Sequence, residues 1–402
     1  MLLRFKLKNY KTFVDEVIFD MTAVSIKDHY ESLINVNGIN LLPVSAIFGA
    51  NASGKSNFFK AVETMRNQVL GFVNDTNFIR HYTPYYFDEA IAKSPTEFEV
   101  CICNKELKKE YRYGYSILDK TILEEWLFIK TFSKTPSVTE ECIFYRKKGK
   151  KIFTEDSSES RRQEILFVDS VTTNNELIVT NLGKRNKDRN AFVFSWFRNN
   201  VMSLNYSDSF FENINIQRLL QLMKNNQHAT TLVESLVSKV DPEIKNILIE
   251  NDDNGTMRVY AIHNDVNTAK VKVPFGAESC GTKKIFSLAL YIMTSLENGI
   301  TIFVDELDSK LHPLLLRFLV SLYTNKEHNK GEGQLIFSSH NLVCLDSNDL
   351  RRDEIWFVEK NNQKSNMFSL YDFNETPIRK DLDFGKHYLS GRFGAVPFVE
   401  EN

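Results

Sequence analysis

The stretch Leu41-Leu42-Pro43-Val44-Ser45-Ala46-Ile47-Phe48-Gly49-Ala50-Asn51-Ala52-Ser53-Gly54-Lys55-Ser56 joins a nearly unbroken apolar run to a small, glycine-punctuated turn. A run without polar alternation suits a strand buried on both faces, as in the centre of a largely parallel sheet. Gly49 to Ser56 matches G-x-x-x-x-G-K-[ST] in full, and Phe58, Phe59, Val62, Met65, Val69 and Leu70 follow at helical spacing. Strand, turn and helix together form a phosphate-binding loop. Its glycines let backbone N–H groups turn inward around phosphate oxygens, and the helix N-terminus adds partial positive charge. Gly49, Asn51, Ala52, Ser53, Gly54, Lys55, Ser56 and Asn57 are the expected nucleotide-binding residues, with Lys55 on the β- and γ-phosphates and the Ser56 hydroxyl on Mg²⁺.

Further along, Ile300-Thr301-Ile302-Phe303-Val304 reads as a second buried strand and delivers Asp305-Glu306 at its carboxyl end. In open α/β sheets that end faces the ligand. Asp305 is therefore expected in the Mg²⁺ shell, and Glu306 beside the attacking water as orienter or base. A third apolar strand, Gln334-Leu335-Ile336-Phe337, ends in Ser338-Ser339-His340. Ahead of an apolar helix (Ile285, Phe286, Leu288, Leu290) stands Glu278-Ser279-Cys280-Gly281-Thr282-Lys283-Lys284, a small turn that opens a helix and so resembles an anion site or an ordinary N-cap. Asp308 follows the carboxylate pair, and either Asp308 or Ser309 is placed to cap the next helix.

Phosphate loop, Asp305-Glu306 and His340 together resemble an ABC-type ATPase, and Ser279, Gly281, Thr282 and Lys283 resemble its signature motif. The resemblance implies ATP and Mg²⁺ as cofactors, His340 as γ-phosphate sensor, Lys55, Glu306 and His340 as the catalytic set, and Asp308 in the loop that couples two active sites. It also implies a head-to-tail homodimer, in which the signature turn of one subunit caps the nucleotide of the other. Phe5-Lys6-Leu7-Lys8-Asn9-Tyr10-Lys11-Thr12-Phe13 is similar to the first strand and turn of SMC, RecF and Rad50 heads. The whole set, with the closing His387-Tyr388-Leu389-Ser390-Gly391-Arg392-Phe393-Gly394-Ala395-Val396-Pro397, resembles stand-alone AAA15-type ATPases of bacterial anti-phage and abortive-infection loci. No glutamine is assigned to the loop that usually contacts the metal water.

Outward from these motifs the chain divides into three parts. Residues 1–154 carry the phosphate loop and then short aromatic, β-branched strands (Phe98–Ile102, Tyr111–Ile117, Glu125–Ile129), an antiparallel sheet beside the core. Residues 155–255 read as a mainly helical insertion, with helices over Phe192–Met202, Ile214–Met223 and Ala229–Val240 and another after Asp241-Pro242. Residues 256–402 return to α/β alternation and end in a hairpin over Glu354–Val358 and Met367–Leu370. The expected fold class is therefore α/β, an ABC-type P-loop ATPase head with a mixed central sheet, a flanking antiparallel subdomain and a helical insertion.

With 402 residues, 50 Lys+Arg against 52 Asp+Glu and a net charge of -2, the chain is ordinary globular material and no general polyanion binder. Five cysteines without C-x-x-C exclude a zinc ribbon or zinc hook and point to reduced thiols in the cytoplasm. Neither a signal-peptide core nor a membrane-spanning apolar run is expected.

The reading that follows is an ATP-hydrolysing dimeric switch that controls a separate effector protein, a nuclease or a toxin. Two other readings stay open. Arg146-Lys147-Lys148-Gly149-Lys150-Lys151, Arg161-Arg162 and Lys184-Arg185-Asn186-Lys187-Asp188-Arg189 leave nucleic acid as a partner, as in a RecF-like DNA binder. Glu359 with Asp381-Leu382-Asp383 mimics the metal ligands of a TOPRIM nuclease, although the segment after His340 is short for such a module.

Overall fold

The computed structural model describes residues 1–74, 77–131, 140–185, 191–205, 216–265, 267–309, 311–373 and 383–396. Two sheets face one another across a helix. The central sheet has the order β10 (Val201–Asn205), β14 (Thr301–Asp305), β15 (Gln334–Ser338), β5 (Val44–Phe48), β16 (Ile355–Asn361) and β17 (Lys364–Ser369). All neighbours are parallel except the β16–β17 hairpin. Every residue of β5 is buried, as its unbroken apolar run requires.

The second sheet is antiparallel, in the order β2 (Val17–Asp20), β1 (Leu2–Lys8), β6 (Thr96–Asn104), β7 (Lys109–Leu118), β8 (Thr121–Thr131) and β9 (Glu140–Lys147). A short hairpin of β3 (Ile34–Val36) and β4 (Ile39–Leu41) precedes β5. Between the two large sheets lies α1 (Lys55–Val69). Two adjacent phenylalanines explain the sandwich. Phe58 meets Phe5 edge-on and Phe19 of the antiparallel sheet, whereas Phe59 meets Phe303 of the central one. Each buries fully, worth roughly 1.5–3 kcal/mol per side chain. The helix that carries Lys55 is thus clamped on two faces.

The far face of the central sheet is covered by α7 (Cys280–Asn298) and α8 (Pro313–Thr324), whose Ile285, Leu288, Leu316 and Leu319 pack with Val44, Ala46 and Phe337. Gln334 fastens the two sheets at one end. Its amide accepts from Leu2 N–H at 2.8 Å and donates to Leu2 and Leu42 carbonyls at 3.0 and 3.3 Å.

The middle of the chain holds α2 (Glu159–Val171), α3 (Ile178–Arg185), α4 (Phe192–Asn199), α5 (Ile216–Asn225) and α6 (Gln227–Val240). Two expectations fail there. The helix over Phe192–Met202 stops at Asn199, and Val201–Asn205 is instead β10, paired in register with β14. Periodicity is silent over so short a segment; the open edge of β14 decides it. After Asp241-Pro242 no helix forms. Turn backbone leads to β11 (Asn246–Asn251), which with β12 (Met257–Asn264) and β13 (Lys270–Pro274) makes a small antiparallel sheet. The Asp241 carboxylate accepts Glu243 N–H at 3.0 Å, turning the chain before a helix can begin. Residue 214 lies outside the described residues. No helix of the described residues is long and apolar enough to cross a membrane.

Candidate functional site

The phosphate loop sits at the carboxyl end of β5, and its shape is dictated by what surrounds it. Gly49 has φ 151°, and a Cβ there would lie 2.2 Å from the Val358 carbonyl oxygen of β16. Gly54 has φ 121°, and a Cβ would meet Ser365 Oγ at 2.5 Å and Thr12 Oγ1 at 3.1 Å. Both positions therefore demand glycine for backbone angle and for space. Ala52 takes a left-handed φ of 60°, which completes a turn able to aim N–H groups inward.

Neighbours from distant parts of the chain hold the loop from outside. Ser365 Oγ donates to Ser53 O at 2.5 Å, Asn57 Nδ2 donates to Thr12 Oγ1 at 2.9 Å, and Ala50 N–H donates to Ala395 O at 3.0 Å. The last bond explains why a closing segment resembling the family's should matter, since Ala395 O also accepts from Tyr388 OH.

Within the loop Lys55 Nζ donates to the carbonyls of Gly49 at 2.7 Å and Ala50 at 2.9 Å. The Ser53 hydroxyl is buried with no hydrogen-bond partner among the described residues. A buried cation resting on loop carbonyls, beside an unpartnered hydroxyl, fits a polyphosphate. Ser56 at the start of α1 and Asp305 at the end of β14 would hold Mg²⁺, which when bound offsets phosphate charge. Among the described residues no cluster of three or more His, Cys, Asp or Glu side chains makes a metal cage. Mg²⁺ suits such a place, because it is commonly held by one or two protein oxygens plus phosphates and water.

The structure brings Lys55, Asp305, Glu306, Asp308 and His340 into one electrostatic cluster. Burial pulls the Lys55 ammonium down to about 8, against the opposing pull of Asp305, Glu306 and Asp308. Burial, and then the Lys55 charge, lower His340, against Asp308, Glu306 and Asp305. The imidazole is thereby kept neutral, able to donate or accept one hydrogen bond without adding charge.

A lysine titrating near 8 in the free protein is favoured as ammonium by a polyphosphate. Nucleotide binding is expected to take up protons above about pH 8, and affinity is expected to fall as pH rises through that value. Calorimetry in buffers of different ionisation enthalpy measures the uptake. Binding without proton uptake at about pH 8.5 would separate Lys55 from the phosphates.

Ser338, which belongs to no motif, organises the carboxylate pair. Its Oγ donates to Asp305 Oδ1 at 2.6 Å and accepts Glu306 N–H at 2.7 Å. Glu306 itself has φ 53°, a left-handed angle uncommon for a non-glycine residue. Asp308 does not cap a helix: its Oδ2 accepts the N–H groups of His340 at 3.1 Å and Asn341 at 3.0 Å, and His312 caps α8. Asp308 thus ties the carboxylate loop to the histidine.

Ser279 does cap α7, accepting Thr282 N–H at 3.1 Å and meeting Thr282 Oγ1 at 2.8 Å. Lys283 Nζ donates to Gly276 O at 3.0 Å. Among the described residues no hydrogen bond or ion pair joins Ser279, Gly281 or Lys283 to the phosphate loop, and Ser279 and Cys280 are exposed.

Several residues behind the two other readings have partners of their own. Arg146 reaches buried Glu125 at 2.9 Å, Lys147 pairs with Glu124, Arg161 with Asp156 at 2.6 Å, and Arg162 with Glu159. Residues 186–190 of the third basic cluster lie outside the described residues. Asp383 Oδ1 accepts Lys386 N–H at 2.9 Å and caps α9 (Phe384–Leu389), Glu359 lies beside Gly394, and Asp381 lies outside the described residues.

Residues 44–346, from β5 past the His340 loop, match the family model described as "AAA domain, putative AbiEii toxin, Type IV TA system". In three dimensions the chain is similar to the SMC head bound to the C-winged helix domain of ScpA, at 16% identity and a TM-score of 0.50, covering 92% of this chain and 97% of that one. It is also similar to the Smc head domain with an extended coiled coil bound to the C-terminal domain of ScpA derived from Pyrococcus furiosus, at 16% identity and a TM-score of 0.44, covering 92% and 96%. The fold is that of an SMC-like ABC ATPase head, as the motifs imply. No curated protein matches the chain in sequence.

Proposed function

The chain belongs to this AAA-domain family of the AbiEii type, and from that premise we propose that it is an ATP-hydrolysing switch that works as a head-to-tail homodimer. The observation that carries the reading is the convergence of Lys55, Asp305, Glu306, Asp308 and His340 at the carboxyl ends of β5, β14 and β15. On ATP binding, Lys55 would exchange the Gly49 and Ala50 carbonyls for phosphate oxygens, Ser56 and Asp305 would hold Mg²⁺, Glu306 would orient and deprotonate water, and neutral His340 would bond the γ-phosphate.

The exposed start of α7 supports action in trans: a second copy would present its Ser279–Lys283 turn to the γ-phosphate, and reciprocity makes the interface two-fold. Hydrolysis removes the contact and opens the dimer. Such a cycle suits control of a separate effector, a nuclease or toxin. The family's description, "putative AbiEii toxin, Type IV TA system", supports a place in bacterial defence, and the closing segment's resemblance to AAA15-type ATPases points the same way. Free, mostly buried cysteines fit the cytoplasm.

Ser279→Arg tests the trans contact. The variant is expected to bind ATP with unchanged affinity, to stay monomeric in sedimentation with ATP, and to hydrolyse at least about tenfold more slowly. A monomeric variant with wild-type turnover would sink the composite site.

A further inference from the structure

We propose that Lys284 is the positioning residue that holds Glu306 and the loop after it to the helix of the signature turn, so that the two ends of a composite site move together. The inference deepens the ATPase reading above and rests on it.

Lys284 lies in α7, between the turn that would cap a partner's nucleotide and the apolar face that packs on the central sheet. Its side chain is inside the protein, with the residue only 2% exposed. Burying an ammonium is costly unless hydrogen bonds replace its water. Here Nζ donates to the carbonyl oxygens of Glu306 at 3.4 Å and Leu307 at 3.3 Å, and to that of Ser309. All three acceptors belong to one short segment, the one that carries Glu306 and Asp308.

That segment needs holding. Glu306 has φ 53°, and such a conformation persists only where the surroundings over-determine it. Ser338 fixes the residue from its amide side, accepting Glu306 N–H at 2.7 Å. Lys284 fixes it from its carbonyl side. The two clamps set the backbone from which the Glu306 carboxylate projects. Asp308, on the same segment, carries the alignment on to His340 through its backbone N–H. A displacement of α7 on engaging a second copy therefore reaches Glu306 and His340 of the same subunit through one buried ammonium. Each subunit's signature turn serves the partner's nucleotide and its Glu306 serves its own, so this link makes the two sites of a dimer cooperative.

The test uses the full chain and steady-state ATP hydrolysis. Wild-type protein is expected to turn over ATP with cooperative dependence on its concentration; absence of any hydrolysis would instead strike at the ATPase reading itself. Lys284→Met keeps the length and removes the donors. It is expected to bind ATP within about twofold of wild type while kcat falls about a hundredfold, the scale of an ångström-level misplacement, and cooperativity disappears. Lys284→Gln, which retains two donors, is expected to recover part of kcat. Combined with Glu306→Gln, Lys284→Met is expected to lower the residual rate no further, because both act on one step. A folded Lys284→Met with wild-type kcat and cooperativity would overturn the proposal. If Lys284→Met does not fold, Lys284→Gln decides: wild-type kcat and cooperativity overturn the proposal, and a selective loss of kcat supports it. A further loss in the double variant would also overturn it, by showing an effect independent of Glu306.

Discussion

Glu306→Gln is expected to bind ATP as tightly as wild type, to lose about two to four orders of magnitude in turnover, and to accumulate as an ATP-bound dimer. The isosteric amide keeps the space and the backbone. It also keeps the Ser338 bond to Glu306 N–H and the Lys284 bond to Glu306 O, because neither involves the side chain. What it removes is the group able to take a proton from water. Because nucleotide binding is assigned to the phosphate loop, affinity should not move. Because opening is proposed to follow hydrolysis, the closed dimer should persist. Phosphate-release kinetics and sedimentation with ATP measure the two halves separately. Wild-type turnover by this variant would remove Glu306 from the chemistry, and slow turnover without a trapped dimer would uncouple hydrolysis from opening.

Lys55→Ala is expected to abolish useful nucleotide binding, weakening it at least about ten- to a hundredfold, as the loss of charged hydrogen bonds to phosphate implies. The ammonium rests on the Gly49 and Ala50 carbonyls, with the residue 6% exposed. Alanine takes away the cation that must meet the polyphosphate but leaves Gly49, Gly54 and the α1 N-terminus in place. Burial disfavours that ammonium in the free protein, so the loop itself need not unfold without it. A thermal melt with and without ATP checks both points: a free-protein transition near wild type and no shift with ATP. Unchanged ATP affinity would contradict the assignment of the loop.

The trapped dimer is also the form in which an effector is best sought, since the proposed output state persists there. Its capture would bear on the proposed defence role. The Lys284 link then predicts which variants signal: those that keep α7 fastened to the Glu306 segment.

Much of the candidate site was legible in the order of residues. A phosphate loop needs a buried strand, a glycine turn and an amphipathic helix in succession, so local sequence contains nearly all of it, and Gly49 to Asn57 could be named outright. Asp305, Glu306 and His340 were legible because each ends an apolar strand. An open α/β sheet gathers such ends on one side. Motif order likewise determined the α/β class, and composition the near-neutral net charge.

The contacts of Ser338, Lys284, Ser365 and the Ala395 carbonyl escaped, because each joins distant parts of the chain. Ser338 is an unremarkable serine until β15 lies beside β14; Lys284 is one of two adjacent lysines until α7 turns it inward. The same applies to Val201–Asn205, whose five residues became a strand only because β14 offered an unpaired edge. Likewise, only the fold shows that Arg146 and Arg161 are paired, with Glu125 and Asp156. The sequence by itself determined which candidate groups stand at the ends of the apolar strands and at the start of α1, since order along the chain places side chains there. Only the tertiary structure decided what holds them, because hydrogen bonds to backbone carbonyls and amides depend on spatial neighbours that no local pattern records.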